Sequence, residues 1–76
     1  MLKVKAKMVC SSVEELVQQE EKMVKLRAVV SGSEENKSFS RWTPTANLEM
    51  IISNETSAGD YFEPGKEYYL TFEKAE

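Results

Sequence analysis

The side chains that could perform chemistry in this 76-residue chain are few. The chain has no histidine, so no Ser-His or Cys-His pair can be built and no ordinary general base for neutral pH is present. Its one cysteine, Cys10, has the parity of the apolar side chains around it and is expected to be a buried small hydrophobe. Glu49 and Glu67 could form a carboxylate pair across strands, but the simpler interpretation is two solvated strand residues. The sequence therefore predicts a protein that is not an enzyme, with no disulfide, no metal site and no cofactor.

Basic side chains of one strand parity are the first candidates for binding. They alternate with apolar residues on two predicted strands, so they are expected to share one outward sheet face that could hold phosphates. The favoured alternative is that Glu49, Glu67 or Glu73 on a neighbouring strand neutralises them in cross-strand pairs. These basic candidates are Lys3, Lys5, Lys7, Lys25 and Arg27.

Aromatic side chains are the second group of candidates. Phe39, Arg41 and Trp42 precede the Thr43-Pro44 turn and could form a stacking platform for a base, a nucleotide or a peptide. The rings of Phe39 and Trp42 are also the bulkiest groups available for a small core, and we expect one of them to lie there. In the last strand, alternation predicts that Tyr68 faces inward. Tyr69 is then expected to face outward, where its ring could contact a partner.

Period-2 alternation predicts the elements that position these side chains. Strands are expected over 2–10, 23–30, 48–53 and 67–73, with a type II turn at Pro64-Gly65. Residues 11–21, which carry a Ser12–Glu15 capping-box spacing, are expected to be a short helix or a helical loop. Other segments are assigned as follows: 31–36 a polar turn and loop, 37–43 a helical turn or a bulged strand, and 54–58 a helical turn capped by Asn54.

These elements predict one mainly β domain over residues 1–76, a small antiparallel barrel or curled sheet of four or five strands with one or two short helical turns. An OB-like or SH3-like barrel is the expected architecture. If the sheet does not close, its open edges, or exposed Val9, Val29 and Ile51, are expected to produce a homo-oligomer, with Lys3, Lys5 and Lys7 able to guard an edge.

Composition narrows the functional classes further. A net charge of −3 disfavours general attraction to nucleic acid. No apolar stretch approaches the roughly 20 residues of a membrane span, and lysines interrupt the first ten residues where a signal peptide needs an apolar run. The sequence therefore predicts a cytoplasmic protein with no membrane partner.

Several short motifs between residues 24 and 75 resemble those of small uncharacterised proteins encoded by tailed bacteriophages. They are the run Ser31-Gly32-Ser33-Glu34-Glu35-Asn36 followed by Phe39, then Thr43-Pro44 leading to Leu48 and Met50, then Phe62-Glu63-Pro64-Gly65-Lys66-Glu67-Tyr68-Tyr69. The resemblance implies a viral accessory protein in the host bacterial cytoplasm and supplies no catalytic residues.

The residues and the resemblance together favour a non-enzymatic phage accessory protein. It is expected to bind a host protein or a small nucleotide ligand, and so to modulate or block a host process. One alternative is a single-stranded nucleic-acid-binding protein that uses the lysine-rich face with Trp42 or Tyr69 as stacking groups. The other alternative is a minor structural component of the virion.

Overall fold

The structure, a computed structural model, describes residues 4–76. Its four strands are Val4–Leu16 (β1), Glu21–Ala28 (β2), Asn47–Ser53 (β3) and Glu67–Phe72 (β4). They form one antiparallel sheet in the order β3-β2-β1-β4, curled strongly into a half-barrel. One α-helix, Glu34–Trp42 (α1), and two 3-10 turns, Val17–Gln19 and Ala58–Tyr61, complete the described chain. The prediction of a mainly β, curled antiparallel sheet is confirmed.

The core lies on the concave face of the sheet and consists of alternate side chains of the two central strands. Each is less than one-tenth exposed: Ala6, Met8, Cys10, Val24, Leu26 and Ala28. Partly buried apolar side chains from the two edge strands pack around them, among them Leu48, Met50, Tyr68 and Leu70. The period-2 alternation therefore identified the inward face correctly, including the burial of Cys10.

The short helix or helical loop expected over residues 11–21 is wrong for residues 11–16, where β1 continues to Leu16, and the helical conformation is limited to the 3-10 turn Val17–Gln19. A bulge at Ser11 shifts the register between Cys10 and Ser12, and the shift places Val13 opposite Val24 on the core side. Extended geometry gives Val13 a core partner and gives the backbone a ladder along β2. A helix of about ten residues would stabilise this segment less than the strand does, because such short helices are only marginally stable without tertiary contacts.

The polar loop expected at 31–36 is also partly wrong, because α1 begins at Glu34. Ser33 is its N-cap: the backbone N–H of Asn36 donates to the Ser33 Oγ at 3.2 Å. Glu34 and Glu35 occupy the first turn, where a negative charge favours the positive end of the helix. The helical alternative for the Phe39 and Trp42 region is therefore the right one.

The segment between β3 and β4 crosses one end of the half-barrel. The helical turn expected after Asn54 is instead the 3-10 turn Ala58–Tyr61, followed by Phe62, which packs against the core. The predicted type II turn at Pro64-Gly65 fits the structure, since Gly65 has φ +89° and the Lys66 N–H donates to the Glu63 carbonyl at 3.1 Å.

The strand order leaves β3 and β4 as the two edges of the sheet. β1 lies between β2 and β4, so Lys5 and Lys7 do not guard an edge, and Lys3 lies outside the described residues. Of the apolar residues expected on an association surface, Val29 is buried, Val9 is half-buried and Ile51 is exposed. Within residues 4–76, no helix has the length and apolar character needed to cross a membrane.

Candidate functional site

An open apolar cavity of about 470 Å³ lies on the inner face of the half-barrel and is here called the cup. Both edge strands, the two central strands and the 58–62 segment contribute to its wall. The cup is lined by Met8, Leu26, Leu48, Met50, Tyr61, Phe62, Glu67, Tyr68, Tyr69 and Leu70. The cup exists because the sheet curls without closing, which leaves apolar side chains facing each other across a gap.

Three aromatic rings form one side of the cup. The Phe62 ring meets Tyr61 edge-on at 5.3 Å between centroids, and it lies tilted against Tyr68 at 5.1 Å. The Tyr68 hydroxyl donates to the Tyr61 carbonyl at 3.0 Å and accepts the Glu63 N–H at 2.9 Å. These two hydrogen bonds fix the ring cluster, so this side of the cup is preorganised for an apolar or aromatic group.

An ion pair holds the 58–61 turn against the sheet beside the cup. The Lys22 Nζ lies 2.6 Å from Asp60 and 3.6 Å from Glu15, and the hydrogen bond to Asp60 raises the pKa of Lys22. Gly59 packs over the lysine stem, and a Cβ there would lie 3.0 Å from the Lys22 Cδ. A side chain at position 59 would therefore require the Lys22 stem to shift.

The sequence-predicted basic residues do share the outer face of the sheet, as far as the structure describes them. Lys25 lies 3.7 Å from Glu49 on β3, and Lys7 lies 3.3 Å from Glu67 on β4. The Lys5 ammonium lies over the Tyr69 ring at 4.4 Å. Arg27 has no ion pair with any described residue. The interpretation in which neighbouring carboxylates neutralise the lysine face therefore fits two of these four residues.

Lys7 is the centre of a polar cluster between the sheet and α1. It is 8% exposed, and its ammonium donates to Glu35 of the helix at 2.8 Å. The Tyr69 hydroxyl donates to the same carboxylate, and the Asn36 side-chain amide donates to Glu67 at 2.8 Å. Because the outer face offers few apolar contacts, charged and polar groups hold α1 in place, assisted by the Phe39 and Tyr69 rings, 5.8 Å apart.

These contacts shift the pKa values of three groups. The hydrogen bond to Glu35 raises the pKa of Lys7. The hydrogen bond from Lys7, followed by that from Tyr69, lowers the pKa of Glu35 below its ordinary 4.5. The hydrogen bond to Glu35 raises the pKa of Tyr69 above 10.0. All three shifts favour the protonation states that exist near neutral pH.

Helix docking is therefore expected to weaken at both ends of the pH scale. Because the pKa of Glu35 is lowered in the folded state, the ionised carboxylate stabilises the fold at pH values above about 4.5. This stabilisation is lost as the pH falls through the folded-state pKa. Because the pKa values of Lys7 and Tyr69 are raised in the folded state, their protonated forms stabilise the fold at pH values below about 10. This stabilisation is lost as the pH rises through the folded-state pKa values.

Urea unfolding as a function of pH tests this prediction in the wild type and in Glu35→Gln. In the acid range, the free energy of unfolding of the variant is expected to depend less steeply on pH than that of the wild type. Glu34→Gln is the matched control, because Glu34 neighbours Glu35 but its side chain is 93% exposed. Equal acid slopes for Glu35→Gln and the wild type would show that this carboxylate does not couple protonation to folding.

The expectation that Phe39 or Trp42 fills the core is wrong for both rings. Trp42 is 80% exposed at the end of α1, and Phe39 is half-buried against Tyr69 on the outer face. Arg41 is exposed in the last helical turn. The helix carries these side chains away from the concave face, where the core forms.

The carboxylates considered for catalysis do not meet. Glu49 lies on β3 and Glu67 on β4, at opposite edges of the sheet, and each pairs with a different lysine. Within residues 4–76, no group of three or more His, Cys, Asp or Glu side chains has the geometry to hold a metal ion. The structure brings no pair of sequence-predicted catalytic candidates together.

The cup was missed by the sequence predictions. Alternation in the sequence predicts that most of the lining residues face inward. It does not predict that a cavity remains between the side chains that face each other. Within residues 4–76, only Tyr69 of the predicted binding residues is among the lining residues of the cup, and its ring lies on the opposite sheet face. The other predicted residues that the structure describes on the sheet also lie on that opposite face: Lys5, Lys7, Lys25 and Arg27. No family model, curated protein or solved structure matches this chain.

Proposed function

We propose that this chain is a non-enzymatic binding protein whose ligand site is the cup. The observation that carries the proposal is the open cavity of about 470 Å³, lined mostly by aliphatic and aromatic side chains and supported by a hydrogen-bonded aromatic cluster. Ligand pockets of this kind typically measure about 300–1,000 Å³, with a mainly apolar lining and a few fixed polar groups.

The lining favours an uncharged apolar or aromatic ligand group. Glu67 is the one charged residue in the lining, and its carboxylate lies on the outer face, where it pairs with Lys7. No lysine or arginine of the described chain lines the cup, so a phosphate group would find no counter-charge there. The chemistry therefore argues against a nucleotide and for an aliphatic or aromatic group that fills the gap between the edge strands.

The resemblance to bacteriophage proteins gives the proposal its cellular setting. We place the protein in the host bacterial cytoplasm, where a host protein presents the apolar group and its capture modulates a host process. Single-stranded nucleic acid receives less support, because Lys7 and Lys25 on the basic face are already paired with carboxylates.

Methyl NMR with a neutral aromatic probe, indole, tests the site directly. Met8 and Met50 are lining residues of the cup, and the signals of their ε-methyl groups are expected to move as indole is added. Met23 is an internal control, because it pairs with Ile51 on the outer face of the sheet. Movement of the Met23 signal with no movement of the other two would contradict the proposal.

A matched pair of variants then assigns the binding to the cup. Leu48→Glu places a carboxylate in the apolar wall and is expected to weaken indole binding at least about tenfold, the equivalent of 1.4 kcal/mol. Ile51→Glu makes the same change on the outer face of the same strand and is expected to leave binding unchanged. Equal affinities for the two variants would place the probe elsewhere.

A further inference from the structure

We propose that β4 is an association edge that pairs antiparallel with β4 of a second copy of this chain, around a two-fold axis. The proposal is independent of the cup as a ligand site. It begins from the sheet order, in which β4 is hydrogen-bonded to β1 on one side and to no other described strand.

Backbone geometry shows which groups of β4 are available. The Cys10 N–H donates to the Lys66 carbonyl at 2.9 Å, in line with the register that pairs Met8 with Tyr68. In an antiparallel ladder the direction of the backbone groups alternates, so Tyr68, Leu70 and Phe72 bond to β1. The N–H and C=O groups of Tyr69 and Thr71 consequently point away from β1, toward the open side.

β4 carries few of the features that protect exposed sheet edges, since the one charge within the strand is Glu67 at its start. Its residues Tyr68–Phe72 include no charge, no proline and no bulge, and Phe72 is 55% exposed. The other edge differs, since β3 carries Glu49 near its centre and the 58–61 turn packs beside it. Of the two edges, β4 is therefore the better template for another strand.

The strand is complementary to itself. With Tyr69 of one copy opposite Tyr69 of the other, Tyr68 lies opposite Leu70 on the concave side and Glu67 lies opposite Thr71 on the outer side, so no like charges meet. Shifting the register so that Leu70 faces Leu70 would place Glu67 opposite Glu73 twice, which is unfavourable. Charge therefore favours the register centred on Tyr69, in which β4 fits a second copy of itself without like charges facing each other.

Pairing of the two β4 strands would also bring together the apolar side chains on the concave faces of the two copies. A chain of 76 residues buries only roughly 60–65% of the surface that its unfolded form exposes. Association is one of the ways in which domains of this size obtain further stability.

Analytical ultracentrifugation over a dilution series tests the proposal with two proline variants. Thr71→Pro removes an outward N–H of β4 and no hydrogen bond to β1, and two such losses across the axis are expected to raise the dimer Kd about thirtyfold. Ile51→Pro is the matched control. The Ala28 N–H donates to the Ala46 carbonyl, and continuing that alternation turns the Ile51 N–H away from β2, so this variant is expected to keep the wild-type Kd.

Circular dichroism establishes that each variant is folded. If Thr71→Pro does not fold, Phe72→Lys replaces it, because a lysine there lies opposite Lys66 of the second copy and is expected to weaken the dimer. A wild type that sediments as a monomer throughout would overturn the proposal. So would a dimer that both β4 variants leave intact, or one that Ile51→Pro disrupts as strongly as Thr71→Pro.

Discussion

Replacing Val24 with aspartate is expected to unfold the protein at neutral pH. Val24 is 0% exposed and lies in the middle of β2, opposite Val13 on β1 and Met50 on β3. A carboxylate at this position would be buried with no cationic partner, at a cost of several kcal/mol. A domain of this length has a total stability of only about 4–11 kcal/mol, so the loss takes most or all of it.

The far-UV circular dichroism and the dispersion of amide signals in a ¹H-¹⁵N spectrum measure this outcome. Ile51→Asp is the matched control, because it places the same carboxylate on β3 at a side chain that is 56% exposed on the outer face. That variant is expected to give a spectrum like the wild type. A folded Val24→Asp protein would show that the core is not where the structure places it.

Truncation of Met8 to alanine is expected to be the next most damaging change. The Met8 side chain is 1% exposed and forms the floor of the core on β1, against Leu26 and its neighbours. Removing its thioether end enlarges the space beneath the cup, and such truncations typically cost about 2–5 kcal/mol. A fall of this size would leave the domain marginally folded at room temperature.

Urea denaturation followed by circular dichroism gives the free energy for this variant. Trp42 fluorescence would be a poor reporter, because the ring is already 80% exposed in the folded state. Met23→Ala removes the same atoms from the outer face of β2 and is expected to cost less than about 1 kcal/mol. Equal losses for the two methionines would contradict the assignment of the concave face as the core.

The extent to which the fold follows from the sequence differs between elements. Alternation located all four strands and their inward faces, because a half-buried strand needs an apolar side chain at every second position. The extension of β1 to Leu16 was missed since the Ser12–Glu15 spacing also suits a helix start. Only the pairing with β2, and the bulge that returns Val13 to the core, decides between the two.

The candidate site was less accessible to sequence reasoning. The basic residues were placed on the correct face, but whether Lys7 is free or neutralised depends on β4 lying beside β1, which periodicity does not encode. The cup depends on the curvature of the sheet and on where Phe62 rests. Both are tertiary properties that arise from contacts between distant segments.

The position of β1 between β2 and β4 has a consequence for the kinetics of folding. Its pairing with β2 is local, through the short turn after Leu16, whereas its pairing with β4 joins segments from opposite parts of the chain. Closing a long loop before non-local contacts form slows the transition. We therefore expect β1, β2 and β3 to assemble first as a meander, and β4 to dock last.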